Sequence, residues 1–87
     1  MEPTLKRGVH VLVDPRFYVR RRPQPGEVVV AEHPRRKGLV LIKRVAALEA
    51  DGGVVLHGDN ASASDDSRDF GPVASERILG KVVGTFP

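Results

Sequence analysis

Lys43 is the residue whose type and position most directly suggest chemistry. The apolar residues at 39–47 predict a strand, along which side chains alternate between two faces. Lys43 then shares its face with three aliphatic residues, Leu39, Leu41 and Val45. An amine desolvated by such neighbours has a lowered pKa and accepts a proton, as a general base must. If the face is open, the side chain instead extends its amine to water, and the strand pattern alone favours this second interpretation.

A second candidate segment, residues 58–72, consists mainly of small polar residues and turn formers. This composition suits a compact loop whose hydroxyls and carboxylates bond to the backbone. Asp66 and Arg68 stand two positions apart, so in an extended chain they lie on the same side and can form an ion pair. We expect such a pair to fix the loop in position without doing chemistry itself.

Other catalytic and metal-binding patterns have little support in the sequence. Residues 65–76 place carboxylates at the spacing of a calcium loop, but Phe70 occupies the position that requires glycine. The chain contains no Cys, and its three histidines are far apart, which argues against a zinc site or a Ser/His/Asp triad. We therefore expect no metal and no cofactor.

The elements that position these residues are predicted to be strands. Turn-forming residues divide the chain into five short runs rich in Val, Leu and Ile, at 9–13, 27–32, 39–47, 54–57 and 78–85. Their length and β-branched content predict an all-β fold, a small curled antiparallel sheet or partial barrel. At most one short helical turn is expected, at 74–79, with Ser75 as its N-cap.

Composition and charge limit the class of protein. At 87 residues, with 40% hydrophobic and 29% charged residues, the chain is expected to form a single globular domain over 1–87. No apolar run approaches the roughly 20 residues of a membrane span, and no signal peptide is evident, so a soluble chain is expected. The basic blocks at 20–22 and 35–37 suit phosphate or an anionic membrane, although solvated loop tips are the favoured interpretation.

Three segments together resemble the type I signal peptidase family, serine endopeptidases that use a lysine base. Residues 1–5, Met-Glu-Pro-Thr-Leu, resemble the sequence that follows the family's nucleophilic serine. Residues 26–45 resemble the stretch that carries the catalytic lysine, and residues 58–73 resemble the motif that closes the site. The short interval between Lys43 and Gly58 resembles the compact members, such as mitochondrial inner-membrane peptidases and the proteases that mature nickel superoxide dismutase.

The resemblance implies a role for each matching residue. Lys43 corresponds to the general base of a Ser/Lys dyad, and Ser64 corresponds to a hydroxyl that orients the lysine. Asp66 and Arg68 correspond to a supporting ion pair. The resemblance further implies a fold of the signal peptidase–LexA type and a hydrolase that cleaves leader or signal peptides after small apolar side chains.

The resemblance also implies a peptide-binding groove at the start of the chain. Met1, Pro3 and Thr4 would border this groove and hold an extended peptide or preprotein as an added strand. The family's nucleophilic serine immediately precedes the methionine that corresponds to Met1, where this sequence starts. Without that hydroxyl and its backbone N–H in the oxyanion hole, no acyl-enzyme forms by the family's route, and we expect the chain as given to be inactive.

Three explanations fit a sequence that starts at this methionine: an internally assigned start codon, a truncated chain, or an inactive relative that binds peptides without cutting them. We favour the first two. A longer protein would then be membrane-anchored through an N-terminal segment with the domain facing outward, or cytoplasmic if it trims a leader during maturation.

A basic β-module that binds nucleic acid is the alternative from another functional class. The arginine blocks would follow the phosphates, but the net charge of +3 is modest. Only four aromatic residues are available for base stacking, namely Phe17, Tyr18, Phe70 and Phe86. A peptide substrate is therefore favoured over nucleic acid.

Overall fold

The computed structural model describes residues 10–59 and 66–86, without the side chains of Asp69 and Phe86. All five predicted strands are found within these ranges. They are β1 (His10–Asp14), β2 (Val28–Glu32), β3 (Val40–Leu48), β4 (Val54–His57) and β5 (Ile78–Phe86). The prediction of an all-β fold is confirmed.

The five strands form one antiparallel sheet in the order β1-β5-β2-β3-β4. The sheet is open, because β1 and β4 are both edge strands. Register shifts interrupt three of the pairings, between Leu12 and Val13, Val30 and Ala31, and Val45 and Ala47. Such bulges bend a strand and increase its twist, which lets a small sheet wrap around one core.

One face of the sheet carries the core. Its strand residues come from β2, β3 and β4, and the segment after β4 adds two more: Val29, Ala31, Leu41, Val45, Val54, Leu56, Phe70 and Val73. On β3, Leu41 and Val45 are buried whereas Val40 and Ala46 are exposed, as the predicted alternation requires. Lys43 lies between Leu41 and Val45 on this alternating strand and therefore projects from the core face.

Two short helical turns follow β4. The first, α1, spans Ser67–Phe70 and was not predicted. The second is the expected turn near residue 75, a 3₁₀ turn over Ser75–Arg77. The N-cap prediction was wrong: Ala74 occupies that position without a side-chain cap, and the Ser75 hydroxyl is hydrogen-bonded to Glu76 Oε1 instead. Across the described ranges, no helix combines the length and apolar character that a membrane crossing requires.

Candidate active site

Asp66 and Arg68 form the ion pair that their spacing suggested. Asp66 is fully buried at the start of α1, where its Oδ1 accepts hydrogen bonds from Arg68 N (2.9 Å) and Arg68 Nε (3.1 Å). Its Oδ2 accepts from Gly58 N (2.7 Å) and also bonds to Arg68 Nη2. Arg68 Nη2 additionally donates to the Gly58 carbonyl (3.0 Å). The pair thus holds both backbone polar groups of Gly58, the residue that follows β4.

A third contact joins α1 to β4. The Ser67 hydroxyl accepts a hydrogen bond of 2.8 Å from the Leu56 N–H. Leu56 is fully buried in the core. Its bond to Ser67 therefore anchors α1, the turn next to Asp66 that also contains Arg68, to β4. The segment is therefore fixed at two points, to Leu56 in β4 and to Gly58 directly after it.

Lys43 reaches this anchored turn from the neighbouring strand. It is half-buried, and its cross-strand partner on β2 is Val29, which is fully buried. A Cβ placed on Gly58 would lie 3.3 Å from Lys43 Nζ and 3.6 Å from Asp66 Oδ2. The lysine amine therefore lies directly over Gly58, beside the Asp66–Arg68 pair, and a side chain at position 58 would press against it.

Asp66 is ionised at neutral pH. Burial alone would raise its pKa, but the hydrogen bonds from Arg68 and from the backbone N–H groups of Gly58 and Arg68 outweigh burial and hold the pKa well below its usual range. A carboxylate offers about four lone-pair positions, and these donors occupy all of them. Lys43 consequently lies next to a carboxylate whose acceptor capacity is already used.

The structure brings together three of the residues singled out from the sequence. Lys43, Asp66 and Arg68 converge on Gly58, a residue that belonged to the quoted motif but had no individual role assigned. Ser64, Met1, Pro3 and Thr4 lie outside the described residues, and their roles stay predictions.

Comparison with known proteins shows the family of the chain. The family model described as "Signal peptidase, peptidase S26" matches residues 1–52 and 50–86. The chain belongs to the signal peptidase family. Mitochondrial inner membrane protease subunit 1 of Xenopus tropicalis is 31% identical over 101 aligned positions, which cover 94% of this chain and 60% of the relative. No solved structure matches the chain.

Two plant relatives give a similar result. The mitochondrial ATP-independent inner membrane protease subunit 1b of Arabidopsis thaliana is 31% identical over 105 positions, with 95% of this chain and 62% of the relative covered. Subunit 1a of the same organism is 34% identical over 79 positions, with 67% and 47% covered. The chain thus spans about three fifths of the length of the first two relatives that it matches.

A second ion pair at the site of this signal peptidase family member was not predicted from the sequence. Arg44 lies next to Lys43 and contacts Asp59 through two hydrogen bonds, Nε–Oδ1 (3.0 Å) and Nη2–Oδ2 (3.1 Å). Its Nη1 also donates to the Gly26 carbonyl (3.0 Å). The two hydrogen bonds from Arg44 and its positive charge lower the pKa of Asp59. Arg44 thus holds Asp59 in position, as Arg68 holds the preceding residue, Gly58.

The signal for this pair lies in the strand register. Arg44 pairs with His57 across β3 and β4, so Asp59 falls at the diagonal position on the same side of the two strands. The pairing of Arg44 with Asp59 can be predicted only when the β3–β4 register is known. The bulge between Val45 and Ala47 shifts that register by one residue.

Replacing Arg44 by Lys should lower the free energy of unfolding by about 1 kcal/mol, because an ammonium cannot keep two bonds to Asp59 together with the Gly26 bond. The expected loss is small because the Arg44 side chain is 38% exposed and water screens the ion pair. Urea unfolding measures the change. Arg77→Lys is the matched control: Arg77 makes one bond to Glu32 (2.9 Å) at similar exposure, and its loss should stay below about 0.5 kcal/mol. Equal losses in both variants would contradict a special role for Arg44.

Proposed function

We propose that residues 1–87 form the catalytic domain of a signal-peptidase-like serine endopeptidase that cleaves leader or signal peptides with a Ser/Lys dyad. Lys43 is the general base, and the nucleophile is a serine placed directly before Met1. The observation that carries the proposal is the position of the Lys43 amine over Gly58, between the aliphatic core face and the Asp66–Arg68 pair.

The surroundings of Lys43 favour a base over a structural ion-pair partner. The amine projects from a face that also carries Leu41, Val45 and Val29, which are all buried. The nearby Asp66 is saturated by its own donors, so it does not require the lysine as a counter-ion. Among residues 10–59 and 66–86, no carboxylate forms an ion pair with Lys43. An amine in such surroundings can exchange its proton with a reacting group.

In the proposed mechanism, the neutral Lys43 amine takes the proton of the serine hydroxyl as the serine oxygen attacks the scissile carbonyl. The resulting ammonium donates that proton to the leaving amine, and the acyl group stays on the serine as an ester. Lys43 then takes a proton from a water molecule, whose oxygen attacks the ester carbonyl. The bond between the acyl carbon and the serine oxygen breaks, the acid is released, and Lys43 returns the proton to the serine oxygen. Ser64 orients the amine through its hydroxyl.

The substrate is proposed to be an extended peptide or preprotein with small apolar side chains before the cut. Met1, Pro3 and Thr4 would border its groove, and the peptide would bind as an added strand. The names of the relatives describe inner membrane proteases, which supports a longer protein whose N-terminal segment associates with a membrane.

The test is cleavage by a chain extended upstream with a short segment that places a serine directly before Met1. The extended chain should cut a leader peptide that has alanine before the scissile bond. The same extended chain with that serine changed to alanine should be inactive. If the extended chain binds the peptide and leaves it intact, the alternative of a non-cutting peptide-binding relative replaces the protease proposal.

Gly58→Ala should reduce the cleavage rate of the serine-extended chain by roughly 10-fold, because a catalytic group misplaced by about 1 Å can cost about 100-fold and the amine must move by less than that. The new methyl group would stand 3.3 Å from Lys43 Nζ and displace the amine. Steady-state cleavage kinetics measure the effect, with thermal unfolding to verify the fold. The matched control is Gly84→Ala, whose methyl would meet only Leu12, at 3.4 Å. A Gly58→Ala variant as active as the control would contradict the placement of the amine.

A further inference from the structure

The loop between β1 and β2 concentrates positive charge that the proposed catalysis does not use. Its arginine segment, residues 16–22, contains Arg16, Arg20, Arg21 and Arg22, all of them exposed. Within the described ranges, the arginines that form ion pairs lie elsewhere, namely Arg44, Arg68 and Arg77. No acidic side chain of those ranges is within ion-pair distance of the arginine segment.

One side of the arginine segment forms a cationic surface cavity of about 440 Å³. Its lining comes from six residues, Asp14, Arg16, Phe17, Val19, Arg20 and Arg21. The one carboxylate in this lining, Asp14, accepts a hydrogen bond of 2.9 Å from the Arg16 backbone N–H. On its other side the segment borders a second cavity, where Arg20, Arg21 and Arg22 lie with Glu49, Asp51 and Glu76. The carboxylates balance the charge of that second cavity, whereas the first holds three arginines and one carboxylate. This cavity suits an anionic group such as a phosphate.

The side chains around the arginines favour a lipid surface over nucleic acid. Val19 is 73% exposed between the basic residues. The two aromatic residues of the segment are already engaged: Phe17 packs edge-on against Tyr18 and is also covered by Lys81 and Arg21. Tyr18 bonds to Glu27 through its hydroxyl (2.9 Å). Bases would therefore find no free aromatic face for stacking, whereas an exposed aliphatic side chain among arginines is suited to a headgroup region.

We propose that the arginine segment docks this domain on a membrane surface that contains anionic lipids, with the arginines on the lipid phosphates and carboxylates and Val19 in the headgroup region. The nearby exposed residues of β1, Leu12 and Val13, extend the same apolar character toward the sheet edge. The proposal concerns binding by the domain itself and stands independently of its catalytic mechanism.

The test is co-sedimentation of the 87-residue chain with vesicles of phosphatidylcholine alone or with about 30% phosphatidylserine, where each arginine near the surface contributes about fivefold to binding. The chain should bind the anionic vesicles and not the neutral ones. The double variant Arg16→Gln with Arg20→Gln, which removes two arginines of the first cavity and keeps the Arg21 contact with Phe17, should bind about 10-fold or more weakly. Val19→Ser should weaken binding without any change in charge.

The charge-matched control is Arg35→Gln with Arg36→Gln, which removes two exposed arginines from the β2–β3 loop. This control should bind within about threefold of the unchanged chain. An equal loss in both double variants, equal binding to neutral vesicles, or no binding to anionic vesicles would each overturn the proposal. Tighter binding to a single-stranded oligonucleotide than to the anionic vesicles, lost in the Arg16→Gln, Arg20→Gln variant, would replace it with nucleic-acid binding.

Discussion

Lys43→Met in the serine-extended chain should lower kcat/KM for a leader peptide by at least about 10³-fold. Methionine has a similar length and fits the aliphatic face beside Val29, so the fold should persist while the proton acceptor is lost. The serine hydroxyl then has no base to take its proton. Cleavage of the peptide, followed by chromatography of the products, measures the loss.

The matched control is the other lysine that pairs with Val29. Lys81 lies opposite Val29 on β5, where its amine is 3.5 Å from Glu27 Oε2 and 4.3 Å from the centre of the Phe17 ring. Lys81→Met removes a lysine from the same row of the sheet but away from Gly58, and should keep cleavage within about threefold of the starting rate. If Lys43→Met retains this level of cleavage, Lys43 is not the base.

Asp66→Ala should cause the largest loss of stability, about 3 kcal/mol in the free energy of unfolding. The substitution removes a fully buried carboxylate. The Gly58 N–H then has no acceptor, and Arg68 has lost its counter-ion. Urea unfolding monitored by circular dichroism measures the loss. Asp51→Ala is the control, because Asp51 is an exposed turn residue that accepts a single backbone bond from Gly53 (2.9 Å) and should cost less than about 1 kcal/mol.

The pH dependence of stability distinguishes the charge of Asp66 from its shape. The folded state lowers the pKa of Asp66 below the value of about 3.9 in an unfolded chain, so the stabilisation is fully present above that pH. It declines as the pH falls toward the folded-state pKa and the carboxylate becomes protonated. Asp66→Asn should therefore flatten the loss of stability below about pH 4. A variant with an unchanged acid profile would contradict an ionised Asp66.

Local patterns were sufficient to predict the strands and the face of Lys43. Along β3, the alternation of Leu41 and Val45 with exposed neighbours is a period-two signal that needs no knowledge of the partner strand. The spacing of Asp66 and Arg68 was likewise enough to suggest their pairing. In both cases the relevant information lies within a few residues of the chain.

Features that depend on distant contacts could not be predicted in this way. The Arg44–Asp59 pair depends on the β3–β4 register and its bulge, and α1 depends on Asp66 capping a turn that is held to Gly58 and Leu56. Ser75 has the right residue type for an N-cap, but it is the first residue of the turn, and Ala74 before it takes the N-cap position. Residue type alone does not determine which of two neighbours takes the cap geometry.

The covalent intermediate gives the most direct test of the claim that the Lys43 amine activates a serine placed before Met1. The serine-extended chain would be mixed with an ester of a leader peptide, quenched in acid at short times, and analysed by mass spectrometry of its N-terminal fragment. We predict the mass of the acyl group on the added serine, and no such adduct in Lys43→Met. An adduct of equal amount in both chains, or acylation at another residue, would contradict the proposed role of Lys43.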